Sequence, residues 1–374
     1  MKRARGFSLV ELMVAITLAL IVTAGVMSVF VGSKNAFQST AGVAAVSDSG
    51  RFALNFLDNA VRDAGNMACG APIRTIYNVS TAPSPLATAV GPAPLLLFQP
   101  MTGFEAVNTG VGSAYGAVLT PGGTADWVSP PGWPAGLQSA FTSLPAPLMP
   151  IKNNDVLVVR SSTQGGTSAF VTASSANSLT MVGVPPNWAA PQLAVISDCV
   201  KSLVFQISNV AGNTIFHNAG GSPGNLTAAF PGTITFDAGS QVTLMQTTAY
   251  YIGVGADGDG ALFSADLSAS TNSFTSATSP NELVPDIEAM QILYGVDLNQ
   301  QQTPSRYVTA DQVTDFTTVM SVQIAVLAAG PLGSATLPNP ARTYTLLGTT
   351  VTAPADTRLR QVFTINIAVR NLLP

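Results

Sequence analysis

Charge is the scarcest property of this sequence. Charged residues make up 9% of it, against about 25% in ordinary soluble domains. The 15 basic and 19 acidic residues leave a net charge of −4. No basic stripe of the kind nucleic-acid binding needs is present, so nucleic acid is excluded as a partner. Histidine occurs once, as His217. That excludes multi-histidine metal sites and leaves little scope for histidine catalysis. Cysteine occurs twice, which excludes a disulfide-dense scaffold and four-cysteine zinc sites. There is no phosphate-cradling loop, no G-x-G-x-x-G and no nucleophile elbow. The sequence thus implies no cofactor and no enzyme.

What fills the gap is uncharged. Hydrophobic residues are an ordinary 47%, and Ser, Thr, Gly, Asn and Gln stand where charge is missing. Disorder of the low-hydrophobicity, high-charge kind is excluded. The 33 Gly and 26 Pro fall short of the roughly 25–30% that marks low complexity. A chain of 374 residues is long enough for a sizeable core in one to three domains.

The N-terminus is strongly patterned. Lys2, Arg3 and Arg5 precede Gly6-Phe7-Ser8-Leu9-Val10-Glu11, and the 20 residues Leu12–Val31 carry no charge. At about 1.5 Å per residue this run spans about 30 Å, the hydrocarbon thickness of a bilayer. The basic flank predicts a cytoplasmic N-terminus and an exported remainder. A cleaved secretory signal would have a shorter apolar stretch and a small-residue cleavage site, and neither is found. A plain signal anchor leaves Glu11 unexplained. A carboxylate in the membrane costs about 2.5–3.5 kcal/mol even on lenient scales, so it needs a function and a partner.

Gly6-Phe7-Ser8-Leu9-Val10-Glu11-Leu12 resembles the prepilin signature of type IV pilins and type II secretion pseudopilins. The resemblance implies cleavage between Gly6 and Phe7 by prepilin peptidase, then methylation of the new Phe7 amine. It implies that the helix serves first as membrane anchor and later as filament core. That amine is cationic near neutral pH, and charges in a dry core need partners. In the family mechanism the carboxylate corresponding to Glu11 pairs with a neighbour's N-terminal amine and sets axial register.

The helical pattern continues beyond the anchor. Val43, Val46, Ala53, Leu57, Ala60, Val61 and Ala64 recur mostly at three- and four-residue spacing, one apolar stripe. Gly65-Asn66 supplies a stop. The helix is expected over Phe7–Ala64, about 90 Å if unbroken, with kinks or local melting at Gly25, Gly32, Gly42 and Gly50. The segment Arg51–Leu57, then Arg62-Asp63-Ala64-Gly65 and Cys69-Gly70, resembles PilW-type minor pilins. So do Glu282-Leu283-Val284, Ile287–Gln291, Tyr294–Asp297, Asp356–Gln361 and Arg370-Asn371.

The exported body reads as β. Runs at 156–159, 179–184, 192–196, 203–210 and 242–254, and alternations at 290–296, 322–326 and 363–369, argue for antiparallel sheet with one wet face. The expected fold class is α+β and pilin-like. A long N-terminal helix, membrane-spanning in its first half, packs on an antiparallel β-sheet that carries a β- and loop-rich insertion. The expected divisions are a leader peptide 1–6, a transmembrane helix 7–31, a periplasmic amphipathic helix 32–65, the insertion 66–190 and the β domain 191–374.

Further candidates have two readings each. Cys69 and Cys199 both fall in the exported part, where an oxidising compartment favours a bridge; the alternative is two free thiols. Gly255-Ala256-Asp257-Gly258-Asp259-Gly260 resembles the start of a calcium loop, but the pattern breaks after Asp259 and a hairpin turn explains Asp257 and Asp259 equally well. His217 reads as a surface-loop residue. Trp127, Trp133 and Trp188 either form an exposed adhesive patch or pack beneath loops.

The resemblance implies a structural minor pilin acting in initiation of the fibre and at its tip. Its partners would be prepilin peptidase, other minor pilins, the major pilin, the assembly platform, a tip adhesin and the inner membrane. It would sit as a single-pass inner-membrane protein with a periplasmic domain, then on the surface pilus. Alternatives are a type II secretion minor pseudopilin, an adhesin carried on a pilin body, and a membrane-anchored hydrolase.

Overall fold

The computed structural model describes residues 9–66 and 99–369, except 124, 132–139, 142–143, 163–167, 221–224, 226, 231–234, 270–273, 300 and 336–337. One helix, α1 (Leu9–Asp63), runs unbroken for 55 residues, about 82 Å at the helical rise. It contains no proline. In its apolar half the hydroxyls of Thr17 and Thr23 donate to the carbonyls of Val14 (2.9 Å) and Ala19 (2.7 Å), so neither is left unsatisfied in an apolar surrounding. The helix stops at Gly65, whose φ of 75° is the left-handed cap conformation and whose N–H donates to the Arg160 carbonyl at 2.8 Å.

Nineteen strands follow among the described residues. The first ten are β1 (Met101–Ala106), β2 (Ala114–Gly116), β3 (Trp127–Val128), β4 (Val156–Ser162), β5 (Ala169–Ser174), β6 (Ser178–Met181), β7 (Leu193–Ser197), β8 (Ser202–Gln206), β9 (Asn209–Ala211) and β10 (Thr214–Phe216). Then come β11 (Gln241–Val254), β12 (Gly260–Ala269), β13 (Phe274–Pro285), β14 (Ile287–Val296), β15 (Arg306–Val308), β16 (Val319–Ala329), β17 (Arg342–Leu346), β18 (Thr349–Ala353) and β19 (Arg360–Ala368).

They form a twelve-, a four- and a three-stranded sheet. The long β11 organises the first: its start pairs with β5 and β7, its remainder with β4 and β12. The four-stranded sheet has the order β15-β14-β16-β19 and is antiparallel throughout. In the small sheet β18 pairs parallel with β2 and antiparallel with β17.

The main core lies where the outer half of α1 meets the four-stranded sheet and one face of the large sheet. Val46, Ala53, Leu57 and Val61 of the helix share it with Ile292, Tyr294, Ile324 and Ile367 and with Leu157, Ile252 and Leu262. The apolar stripe is thus where the spacing placed it, except that Val43 points outward at 56% exposure. The helix runs through all four glycines without local melting. Gly42 and Gly50 are buried instead, and a Cβ there would stand 2.3 Å from Ser334 Cβ and 2.2 Å from Phe363 Cδ2. These two positions bring helix backbone directly onto its neighbours.

The boundary expected at 190/191 falls inside one sheet. β1, β4, β5 and β6 come from before it, and β4 and β5 pair directly with β11. Alternating sequence gives the pleat but not the partner, and here the partner strand lies some 80 residues downstream.

Candidate functional site: the anchor helix and its seat on the sheet

Among the described residues, the apolar side chains of the first half of α1 stand exposed. From Leu9 to Val31 no large apolar side chain is less than 45% exposed. Monomeric soluble proteins do not leave a surface of this size bare; its length and composition suit a bilayer. Glu11 stands in the first described turn of the helix. Gly6 and Phe7 lie outside the described residues.

The outer half is seated on the sheet by close backbone approach, and a charged cluster ties strands of that sheet to one another. Two segments singled out in the sequence meet here. From the block Asp356–Gln361, Arg360 grips Glu288 of the block Ile287–Gln291 with both ends of its guanidinium, at 2.6 and 2.9 Å. It also bonds Asp356 at 2.7 and 2.5 Å. Hydrogen bonding from Arg360 holds the Asp356 carboxyl below its ordinary range. Bidentate pairs of this kind fix geometry as well as charge. Asp297, from the third block, accepts the N–H groups of Asn299, Gln301 and Gln302 and so shapes the turn after β14.

Asp257 and Asp259 sit on the β11–β12 hairpin. Gly255 N–H donates to the Asp259 carbonyl at 2.7 Å, and Asp257 Oδ1 accepts Asp259 N–H at 3.0 Å. The hairpin reading therefore accounts for both residues. The fold adds Asp286, whose carboxylate faces theirs with ligand atoms within 4.8 Å. But Arg358, only 7% exposed, already donates to Asp259 at 2.5 Å and to Asp286 at 3.5 Å. Burial and the neighbouring Asp257 raise the Asp286 carboxyl, and Arg358 opposes the rise. A fixed guanidinium supplies the positive charge a cation would bring. Sequence spacing showed neither Asp286 nor Arg358 in this cluster, because they come from 30 and 100 residues away.

Cys199 is disulfide-bonded; Cys69, its expected partner, lies outside the described residues. His217 is not a surface residue. It is 1% exposed, stacked on Phe230 at 4.2 Å, and its Nδ1 lies 2.7 Å from the Ala228 carbonyl. Burial lowers its pKa. It belongs to the apolar packing beside Phe205. Trp188 is buried, and Trp127 packs with its Nε1 donating to the Asn154 carbonyl at 2.8 Å; neither forms an exposed patch. Trp133 lies outside the described residues. A polar cleft of about 330 Å³ opens beside the end of α1, lined by Asp63, Asp266, Tyr250 and a set of hydroxyls and amides. Among the described residues no histidine, lysine or cysteine lines it to activate a nucleophile.

Comparison with known proteins bears on both ends of the chain. The family described as PilW, type IV pilus-assembly protein W, matches residues 249–371, and the prokaryotic N-terminal methylation motif matches residues 1–27. No curated protein matches the chain. A solved type IV-like pilin from Thermus thermophilus is 19% identical, with a TM-score of 0.22, over 35% of this chain and 67% of its own. The methylation motif thus falls at the start of the anchor helix and the PilW match across the sheet that seats it, and over those two stretches the chain is similar to type IV pilins of the PilW kind.

Proposed function

We propose that this chain is a minor, non-catalytic type IV pilin that helps to initiate the pilus and stands at its tip. The observation that carries the reading is the two-part helix. Among the described residues one half, behind Glu11, is apolar and exposed, and the other is locked onto the sheet. Such a helix holds a rigid body at a membrane and then transfers its bare half into a helical filament core.

In this reading prepilin peptidase cuts between Gly6 and Phe7 and the Phe7 amine is methylated. The chain is anchored in the inner membrane with its body in the periplasm. Glu11 then neutralises the N-terminal amine of a neighbouring pilin, since a lone charge in a dry core is strongly disfavoured. The neighbours are other minor pilins and the major pilin, joined on the assembly platform, with a tip adhesin beyond. The body between α1 and residue 249, outside the PilW match, gives bulk that suits a tip better than a repeating shaft.

Deleting the gene and counting surface fibres, with secretion assayed in parallel, tests the reading. Few fibres with normal secretion is the expected result. Normal fibres with lost secretion would move the protein to the type II pseudopilins. Within the same assay, Glu11→Val should still insert and be cleaved but join fibres poorly; normal incorporation would refute the charge-pairing role.

A further inference from the structure

The two edges of the four-stranded sheet are treated in opposite ways. On the β14 side every outward N–H from Met290 to Tyr294 is engaged. Met290 N–H donates to Asn154 Oδ1 at 2.7 Å and Ile292 N–H to Asp155 Oδ2 at 2.8 Å. Asp155 N–H donates to the Met290 carbonyl at 3.2 Å, and β15 pairs with the strand from Tyr294 onward. This edge is closed.

Among the described residues the β19 side is open. Gly330 N–H donates to the Leu359 carbonyl and Val369 N–H to the Met320 carbonyl. Those two bonds fix the phase of the ladder. Odd-numbered residues of β19 bond to β16, in a register without a bulge. Val362, Thr364, Asn366 and Ala368 therefore turn their N–H and C=O groups outward. Among the described residues none of these groups has a partner. Natural edges are guarded by proline, lysine, bulges, shortness or a covering segment. This one runs nine residues, has no proline and no charge after Arg360, and Arg360 is itself held by Glu288 and Asp356.

We propose that the outer edge of β19 is completed by an extended strand from a different protein chain. Only an extended backbone presents alternating donors and acceptors that match such an edge. The side chains define the strand that fits. Phe363 and Ile365 lie half-buried on the helix side, so the incoming strand places apolar residues there. Thr364, Asn366 and Ala368 are exposed on the opposite face, so its alternate residues are small and polar, and its middle is uncharged. Head-to-tail addition of a second copy through its β14 edge is barred, because that edge is filled. The proposal rests on the assembly reading for where the partner is met.

The test uses the full-length chain in its own membrane, with a photo-crosslinking benzoylphenylalanine at Asn366. A crosslink to one other chain, mapped to an extended segment of that chain, is expected. Thr364→Pro should reduce it about tenfold by removing an outward donor and crowding the edge. The β16 ladder does not use the Thr364 N–H, and proline is tolerated on free edges. Thr364→Lys, which asks nothing of the backbone, should reduce the crosslink likewise, and the melting temperatures of both variants report on folding. Crosslinks between copies only, no crosslink, or a crosslink unchanged by both variants would overturn the proposal. Fibres lost on deletion with no crosslink at Asn366 refutes the edge and leaves the assembly reading. Normal fibres with the mapped crosslink present does the reverse.

Discussion

Adding one methyl group at Gly50 measures how tightly the helix sits on the sheet. A Cβ there would lie 2.2, 2.3 and 2.7 Å from Cδ2, Cε2 and Cγ of Phe363, against 3.5–4.0 Å for an ordinary carbon contact. The ring, or the helix itself, must move by more than 1 Å. Cγ is next to the root of the side chain, so a rotation of the ring alone does not clear the clash. Overpacking of this kind costs about 1–3 kcal/mol. Replacing a mid-helix glycine with alanine returns about 1 kcal/mol. The net expectation for Gly50→Ala is a loss of about 1 kcal/mol. Gly32 is the control, since nothing lies within 4 Å of its Cβ position, and Gly32→Ala should be neutral or slightly stabilising. The two variants should therefore differ by about 1–3 kcal/mol, a few degrees in melting temperature for a chain of this size. Thermal unfolding of the full chain in detergent, followed by circular dichroism, gives the comparison. Phe363→Leu in the Gly50→Ala background should recover part of the loss, giving a measurable coupling energy. Gly50→Ala as stable as the unaltered chain, or no coupling to Phe363, would refute the close-approach argument.

Other expectations follow from buried charge and from the disulfide. Burial and the facing Asp155 push the Glu105 carboxyl up to about 9, and burial pushes Asp155 up to about 7 although the Ala106 and Ile292 N–H groups oppose the rise. The unfolded values lie near 4, so the folded chain binds more protons across the interval and stability falls as pH rises from about 5 to 9. Glu105→Gln should flatten that fall, and melting temperatures level across the range would count against it. Arg358→Met leaves the carboxylates of Asp259 and Asp286 facing each other without their cation, and should cost about 2 kcal/mol or more in a denaturant titration. Millimolar calcium should leave the melting temperature of the unaltered chain in place, because Arg358 already neutralises the cluster; a calcium-dependent rise would show the cluster to be a metal site. A non-reducing digest should release the peptide of Cys199 joined to that of Cys69. Reduction should destabilise the chain by up to about 5 kcal/mol, the loop-entropy estimate for a closure of about 130 residues. Two free thiols in native protein would end that pairing.

The sequence by itself determined whatever depends on near neighbours. The apolar run from Leu12 to Val31 is local composition, and its meaning follows from bilayer thickness. The helical stripe is local periodicity, and Val46, Ala53, Leu57, Ala60 and Val61 lie buried along it. Gly42 and Gly50 stand at helical spacing within that same stripe, so their contact role was legible; the low helix propensity of glycine pointed instead to kinks. The runs at Val156, Val242 and Val322 became β4, β11 and β16 because alternation with β-branched residues is a local property of the pleat. Tertiary structure decided which strand pairs with which. β4 from the expected insertion joins β11, and no local rule carries that across 80 residues. It decided that His217 is packed and not exposed, since burial depends on Phe205 and Phe230 arriving from elsewhere in the chain. It decided that Arg358 lies against Asp259 and Asp286, three residues far apart in sequence. It also decided that one sheet edge is closed by Asn154 and Asp155 while β19 is left open among the described residues. Edges exist only once strands have been ordered, so no reading of a single strand reveals them.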